Sequence, residues 1–211
     1  MCGIIGYVGT RPCRDILFQG LRKLEYRGYD SAGLSIVRDG RFELLHSVGN
    51  LDNLEEILYR VGTEGTMGIA HTRWATHGRP SAENAHPHTD CNERFAIVLN
   101  GIVENYLGLR AMLQERGHRF TSETDAEVVA HLIEEAYDGS LREATVAAYR
   151  QMEGHFTYCA IAAFAQGYVI CGLAYFSYCI SHRNTIGHTH HEANNQHRIT
   201  IPRRIPRRRP R

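Results

Sequence analysis

Met1-Cys2-Gly3-Ile4-Ile5-Gly6-Tyr7-Val8 opens the chain with a thiol directly ahead of an alternating apolar run. The alternation from Ile4 to Val8 predicts a β-strand that starts almost at the amino terminus. If the initiator Met1 is removed, as is usual ahead of a small residue, Cys2 carries its thiol and a free α-amine together. An α-amine titrates near 8, so part of it is unprotonated at neutral pH and can take the thiol proton directly or through water. On position alone the plainer reading leads, that of a small apolar residue, one of six cysteines.

Beyond this strand the apolar spacing Cys13, Ile16, Leu17, Leu21, Leu24 predicts an amphipathic helix. Leu34 and Ile36 alternate on one side of Asp39-Gly40, and Phe42 and Leu44 on the other, the pattern of a β-hairpin whose turn accepts positive φ. Leu51, Leu54, Leu58 and Val61 predict a short helix, Met67 to Ala70 a short strand, and Phe95 to Leu99 a buried strand ending at Asn100-Gly101. Tyr106, Leu109, Met112 and Leu113 mark a further helix. Thr124 with Glu127, and Ser140 with Glu143, have the spacing of capping boxes ahead of two more. Residues 72–94 have no steady period and are rich in His, Asn, Pro and Thr; a loop of that length in a compact domain is usually functional. The body is mixed α and β.

The 211 residues, 43% hydrophobic and 22% charged, suit one ordinary domain rather than a disordered or fibrous chain. The net charge of +1 hides two halves. Residues 1–166 hold 16 Lys+Arg against 22 Asp+Glu, and residues 167–211 hold 8 against 1. The cysteines lack C-x-x-C spacing and the start lacks a basic segment before an apolar one, which points to reduced thiols in a cytoplasm. The run Phe156 to Ile180 carries no formal charge, but its glycines and many tyrosines favour a buried strand followed by a second apolar stretch over a membrane span. Residues 182–211 hold eight Arg and five His with Ile-Pro-Arg-Arg twice. Such a tail is expected to be disordered, either a basic arm for nucleic acid or sequence translated out of frame; the mid-fold break in composition favours the latter.

An acyl-transfer site needs oxyanion donors, a grip on the substrate and a cover against water. Asn100-Gly101 offers a side-chain amide beside an unencumbered backbone N–H, Arg73 a planar fork for a carboxylate, and Asp125 a carboxylate. The spans Met1-Cys2-Gly3-Ile4, Leu24 to Gly33 with Tyr26-Arg27-Gly28-Tyr29-Asp30-Ser31, Ala70 to Gly78, Asn84-Ala85-His86-Pro87-His88, Asn100 to Asn105 and Ser122-Glu123-Thr124-Asp125 occur in that order. Over residues 2–166 the chain resembles the glutaminase domain of the glutamine:fructose-6-phosphate aminotransferases, class II glutamine amidotransferases of amino-sugar biosynthesis.

That resemblance implies an α+β fold, the four-layer α/β/β/α sandwich of N-terminal-nucleophile hydrolases, incomplete at the carboxyl end. It implies catalysis by Cys2, with Asn100 and Gly101 as oxyanion hole. Arg73 would hold the glutamine α-carboxylate and Asp125 its α-ammonium, Thr76 and His77 would belong to the closing loop, Trp74 to the mouth of an ammonia passage, and Arg27 would pack beside the nucleophile. The partner is L-glutamine and no cofactor or metal is expected. The sugar-isomerising lobes are missing, so a separate chain would have to supply them, and full-length members are expected to be homo-oligomers. The family usually has His before the Asn-Gly pair, where this chain has Leu99.

Other chemistry is set aside. His86, His88 and Cys91 are soft ligands, but the resemblance makes that stretch structural, and the tail histidines have no scaffold. Ser31 lacks the leading Gly of a nucleophile elbow, and no Gly-rich phosphate loop occurs. The rival readings are an inactive fragment or binding module, and a membrane-tethered or nucleic-acid-binding product; neither membrane nor nucleic acid is expected as a partner.

Overall fold

The computed structural model describes residues 2–61, 64–165, 168–173 and 176–181; the Arg/His-rich tail at 182–211 and the expectations placed on it lie outside these. Strand β1 (Gly3–Val8) leads into helix α1 (Arg14–Leu24), whose Leu17, Phe18 and Leu21 are buried as the spacing predicts. Strands β2 (Ser31–Arg38) and β3 (Arg41–Val48) form the expected hairpin. Both turn residues have positive φ, 49° at Asp39 and 75° at Gly40, which matches the right-handed twist of the flanking strands. Helix α2 (Leu51–Arg60) buries Leu51, Leu54 and Leu58, and β4 (Met67–Arg73) completes a four-stranded sheet in the order β1-β4-β2-β3.

The second sheet is built from β5 (His88–Thr89), β6 (Phe95–Val103), β7 (Gly154–Ala162), β8 (Tyr168–Leu173) and β9 (Phe176–Ser181), antiparallel and in that order. Helices α3 (Tyr106–Glu115), α4 (Glu127–Ala136) and α5 (Leu141–Tyr149) separate β6 from β7. The period of two along β6 decides the layering. Phe95, Ile97 and Leu99 enter a core with Leu113, Val129, Leu132, Ile133 and Ala148 from the helices. Ala96 and Val98 enter a second core with Val37, Met67 and Ile69 of the first sheet. A third core joins the far face of the first sheet to α1 and α2 through Leu17, Leu21, Leu34, Ile36 and Leu54. Three cores between four layers give an α/β/β/α sandwich, and each fully buried aliphatic side chain contributes about 1.5–3 kcal/mol.

Several expectations need correction. Asn100-Gly101 does not end a strand: β6 runs to Val103, and these residues pair with Thr157 and Phe156 of β7. Gly101 sustains this at φ 105°, where an added Cβ would lie 2.1 Å from the His155 carbonyl oxygen. Thr124 is not a helix cap. Glu127 reaches instead to the backbone and hydroxyls of Thr121 and Ser122, and α4 begins after Ala126 without a side-chain cap. Ser140 does cap α5, its Oγ accepting the Glu143 N–H at 3.3 Å. The uncharged run from Phe156 forms paired strands, and no helix among the described residues is long and apolar enough to cross a membrane. Strands β8 and β9 continue the pairing of this sheet through residue 181.

Candidate active site

Antiparallel pairing of Gly3 with Thr72 sets Cys2 beside the end of β4. Gly3 permits this approach, since a Cβ there would lie 2.7 Å from Leu24 Cβ and 2.8 Å from Thr72 Oγ1. The half-buried Cys2 Sγ accepts the Trp74 backbone N–H at 3.2 Å and lies 3.6 Å from the Trp74 carbonyl oxygen. Burial raises the thiol pKa above its ordinary value, while the Trp74 N–H, the nearby chain terminus and Arg73 pull it down. The thiol is therefore the resting form, and attack requires a base.

Asn100 crosses from the second sheet, its Nδ2 donating to the Cys2 carbonyl oxygen at 3.1 Å. Its orientation is fixed by His71. The His71 Nε2 lies 3.1 Å from the Leu99 carbonyl oxygen, a pure acceptor, so Nε2 carries the proton and the Asn100 atom 2.9 Å away is Oδ1. His71 is fully buried and its pKa is pulled down to about 4 by burial, so the ring is neutral. Its Nδ1 has no hydrogen-bond partner among the described residues, which suits a bare lone pair better than a buried N–H. One hydrogen of the Asn100 amide is thus held on Cys2, and among the described residues no hydrogen bond takes the other.

The cavity is about 750 Å³ and is lined by Cys2, Arg27, Arg73, Trp74, Thr76, Asn100, Gly101 and Asp125 among others. Asp125 lies just ahead of α4. One oxygen accepts the Val103 N–H at 2.8 Å, and the other lies 3.6 Å from His77 Nδ1. Burial raises the Asp125 pKa, partly offset by the Val103 hydrogen bond, His77 and Arg73. A buried carboxylate so sparsely satisfied is a favourable seat for an ammonium group. Arg73 donates to the carbonyl oxygens of His77, Gly78 (3.0 Å) and Arg79 (3.5 Å), so it shapes the loop that follows it, and an incoming carboxylate would take the N–H groups left over. Asp30 holds the Trp74-Ala75 turn, accepting the Ala75 N–H at 2.8 Å and donating its own N–H to Arg73 O at 3.1 Å. Trp74 stays 46% exposed, edge-on to Tyr29 with ring centroids 5.6 Å apart.

Sequence reasoning missed His71 and Asp30, although both lie in motifs quoted above; a histidine inside a strand gives no signal of which carbonyl it meets. It also grouped His86, His88 and Cys91; the His86 and His88 rings lie 4.6 Å apart, but Cys91 sits beside His118 and His131 instead. The His86 ring stacks on His71 with centroids 4.3 Å apart and its Nδ1 accepts the Leu99 N–H, while His88 Nε2 meets Thr124 Oγ1 at 2.9 Å.

These buried histidines predict an acid-labile fold. Burial lowers His71 to about 4 and His88 to about 3, and His86 is lowered as well, whereas an unfolded histidine titrates near 6.5. Between those values the unfolded chain binds protons that the folded chain refuses. Stability is therefore fully present above about pH 6.5 and falls toward pH 4, by roughly 1.4 kcal/mol per pH unit for each histidine. Denaturant unfolding at pH 7, 6 and 5 checks this, and a flat profile contradicts it.

The four-layer sandwich, with a cysteine at the head of its first strand facing an Asn-Gly pair, defines the N-terminal-nucleophile hydrolase class. Within that class the chain belongs to the glutamine amidotransferase domain family, which matches residues 59–165. It is 51% identical over 156 residues to a glutamine–fructose-6-phosphate aminotransferase (isomerizing) of Thermus thermophilus, covering 74% of this chain and 26% of that protein. A protein of the same name from Gloeobacter violaceus is 52% identical over 165 residues, covering 77% and 27%. The chain thus matches only about a quarter of the length of these relatives. Among solved structures it is similar to the glutamine phosphoribosylpyrophosphate amidotransferase of B. subtilis, with a TM-score of 0.69 at 24% identity over 83% of this chain and 38% of that one, a likeness of fold.

Proposed function

We propose that this domain hydrolyses the side-chain amide of L-glutamine through a thioester on Cys2 and releases ammonia for glucosamine-6-phosphate synthesis. The sugar-isomerising lobes that would use the ammonia lie outside this chain, in a longer polypeptide or in a partner acting in trans. The reading places the domain in the cytoplasm, within a homo-oligomer, and apart from membrane and nucleic acid.

With Met1 removed, the Cys2 α-amine takes the thiol proton as Sγ attacks the amide carbon. The carbonyl oxygen, now carrying negative charge, accepts from the free hydrogen of Asn100 Nδ2 and from the Gly101 N–H. The amine returns its proton to the leaving nitrogen, ammonia departs, and water cleaves the thioester to glutamate. Arg73 holds the α-carboxylate and Asp125 the α-ammonium. Thr76 and His77 close over the substrate, Trp74 borders the ammonia exit, and Arg27 packs beside the nucleophile.

The observation that carries this reading is the Asn100 amide, oriented by His71 and aimed at the Cys2 backbone in the same cavity as Arg73 and Asp125. Purified chain incubated with L-glutamine should release glutamate and ammonia in equal amounts; release of neither would end the proposal. In that assay Asp125→Asn should raise KM for glutamine roughly 10–100-fold, the worth of one charge-assisted contact, and lower kcat much less. An unchanged KM would remove Asp125 from substrate binding.

A further inference from the structure

On the far side of α4 from its Asp125 end, four side chains converge that the glutamine site does not use. Cys91 lies in the turn between β5 and β6, His118 follows α3, and His131 and Glu134 stand one turn apart on α4. Cys91 Sγ is 3.9 Å from His118 Nδ1 and 3.6 Å from His131 Nδ1, and the two imidazole nitrogens are 3.3 Å apart. Glu134 Oε2 lies 3.1 Å from His118 Nδ1 and 3.6 Å from His131 Nδ1. All four ligand atoms lie within 4.8 Å of one another.

The five separations from Cys91 and Glu134 to the two imidazoles, and between the imidazoles, are close to the edges of a tetrahedron around one ion. Zinc binds sulfur at about 2.3 Å and imidazole nitrogen or carboxylate oxygen at about 2.0–2.1 Å, which sets tetrahedral edges of roughly 3.6 Å from sulfur to nitrogen and roughly 3.3 Å between the lighter atoms. The surroundings present the atoms as ligands. Glu127, itself fixed by Thr121 and Ser122, lies 3.7 Å from His131 Nε2, an outer carboxylate that favours a proton there and a bare Nδ1 toward the cluster. The Arg119 N–H points at Cys91 Sγ at 3.3 Å, which suits a thiolate, and Asn92 holds the other oxygen of Glu134. Two imidazole Nδ1 atoms facing each other beside a carboxylate leave several lone pairs directed at one point, and a single cation answers them together.

We propose that Cys91, His118, His131 and Glu134 form a closed, four-coordinate zinc site that fastens the β5–β6 turn and the residues after α3 to α4. Four protein ligands leave no open position, so the role is structural. The site lies outside the glutaminase machinery and stands or falls apart from it.

Cobalt(II) tests it on the full chain, stripped of metal under reducing conditions. One equivalent should bind, giving the intense visible bands of tetrahedral cobalt and a near-ultraviolet thiolate-to-cobalt charge-transfer band, both bleached by zinc. Residues 182–211 contain no cysteine, so their histidines cannot give the thiolate band. Cys91→Ser should abolish that band with circular dichroism unchanged, whereas Cys2→Ala should keep it. His118→Gln should weaken binding by more than the roughly 10–100-fold that loss of an outer partner costs. No tetrahedral spectrum in the unaltered chain would overturn the proposal and leave a hydrogen-bonded polar cluster, and a charge-transfer band that survives Cys91→Ser would overturn it by putting the ion elsewhere.

Discussion

Cys2→Ala is expected to lower glutamate release by at least on the order of 10⁴-fold, the scale on which removing an activated nucleophile acts. The fold should barely notice. The Cys2 side chain is half-buried and, among the described residues, its sulfur hydrogen-bonds only to the Trp74 backbone, while the strand pairing from Gly3 onward and the Asn100 contact use main-chain atoms that alanine retains. A melting temperature close to that of the unaltered chain, together with lost turnover, separates a chemical from a structural role. Turnover that persists in Cys2→Ala would mean that another group attacks glutamine.

Asn100→Ala should cost kcat 10²–10³-fold, about 2.7–4 kcal/mol, with little change in KM, because its free N–H serves the oxyanion rather than the ground-state amide. The side chain also ties the sheets together, accepting from His71 and donating to Cys2 O, so a modest loss of stability should accompany the loss of rate. Steady-state kinetics on glutamine decide the matter. A rise in KM at constant kcat would show that Asn100 merely binds substrate.

Much of this architecture was legible because local chemistry and tertiary packing agree. Asp39-Gly40 declared the hairpin through the positive φ that only such turns require, and Leu51, Leu54 and Leu58 declared a helix with one buried face. Legibility failed where a residue's partner lies far along the chain. Thr124 had the spacing of a cap, yet its hydroxyl meets Ser122 and His88, and Glu127 turns to Thr121 and Ser122 instead. Asn100-Gly101 read as the end of a strand because Gly follows Asn, whereas pairing with β7 carries β6 through both residues to Val103. His71 could not be assigned its work, since the carbonyl of Leu99 and the amide of Asn100 reach it only across the interface between sheets. The Cys91, His118, His131 and Glu134 quartet was hidden for the same reason; only the three-residue step from His131 to Glu134 hints that two of them share a helix face.

The α-amine and the thiol must belong to one terminal residue for the chemistry to run. Intact-mass and peptide mapping after exposure to a glutamine-like electrophile test this together. The expected result is a chain lacking Met1 that carries one adduct on the Cys2 sulfur, competed away by excess glutamine. A chain that keeps Met1, or one whose adduct maps to another cysteine, would contradict it.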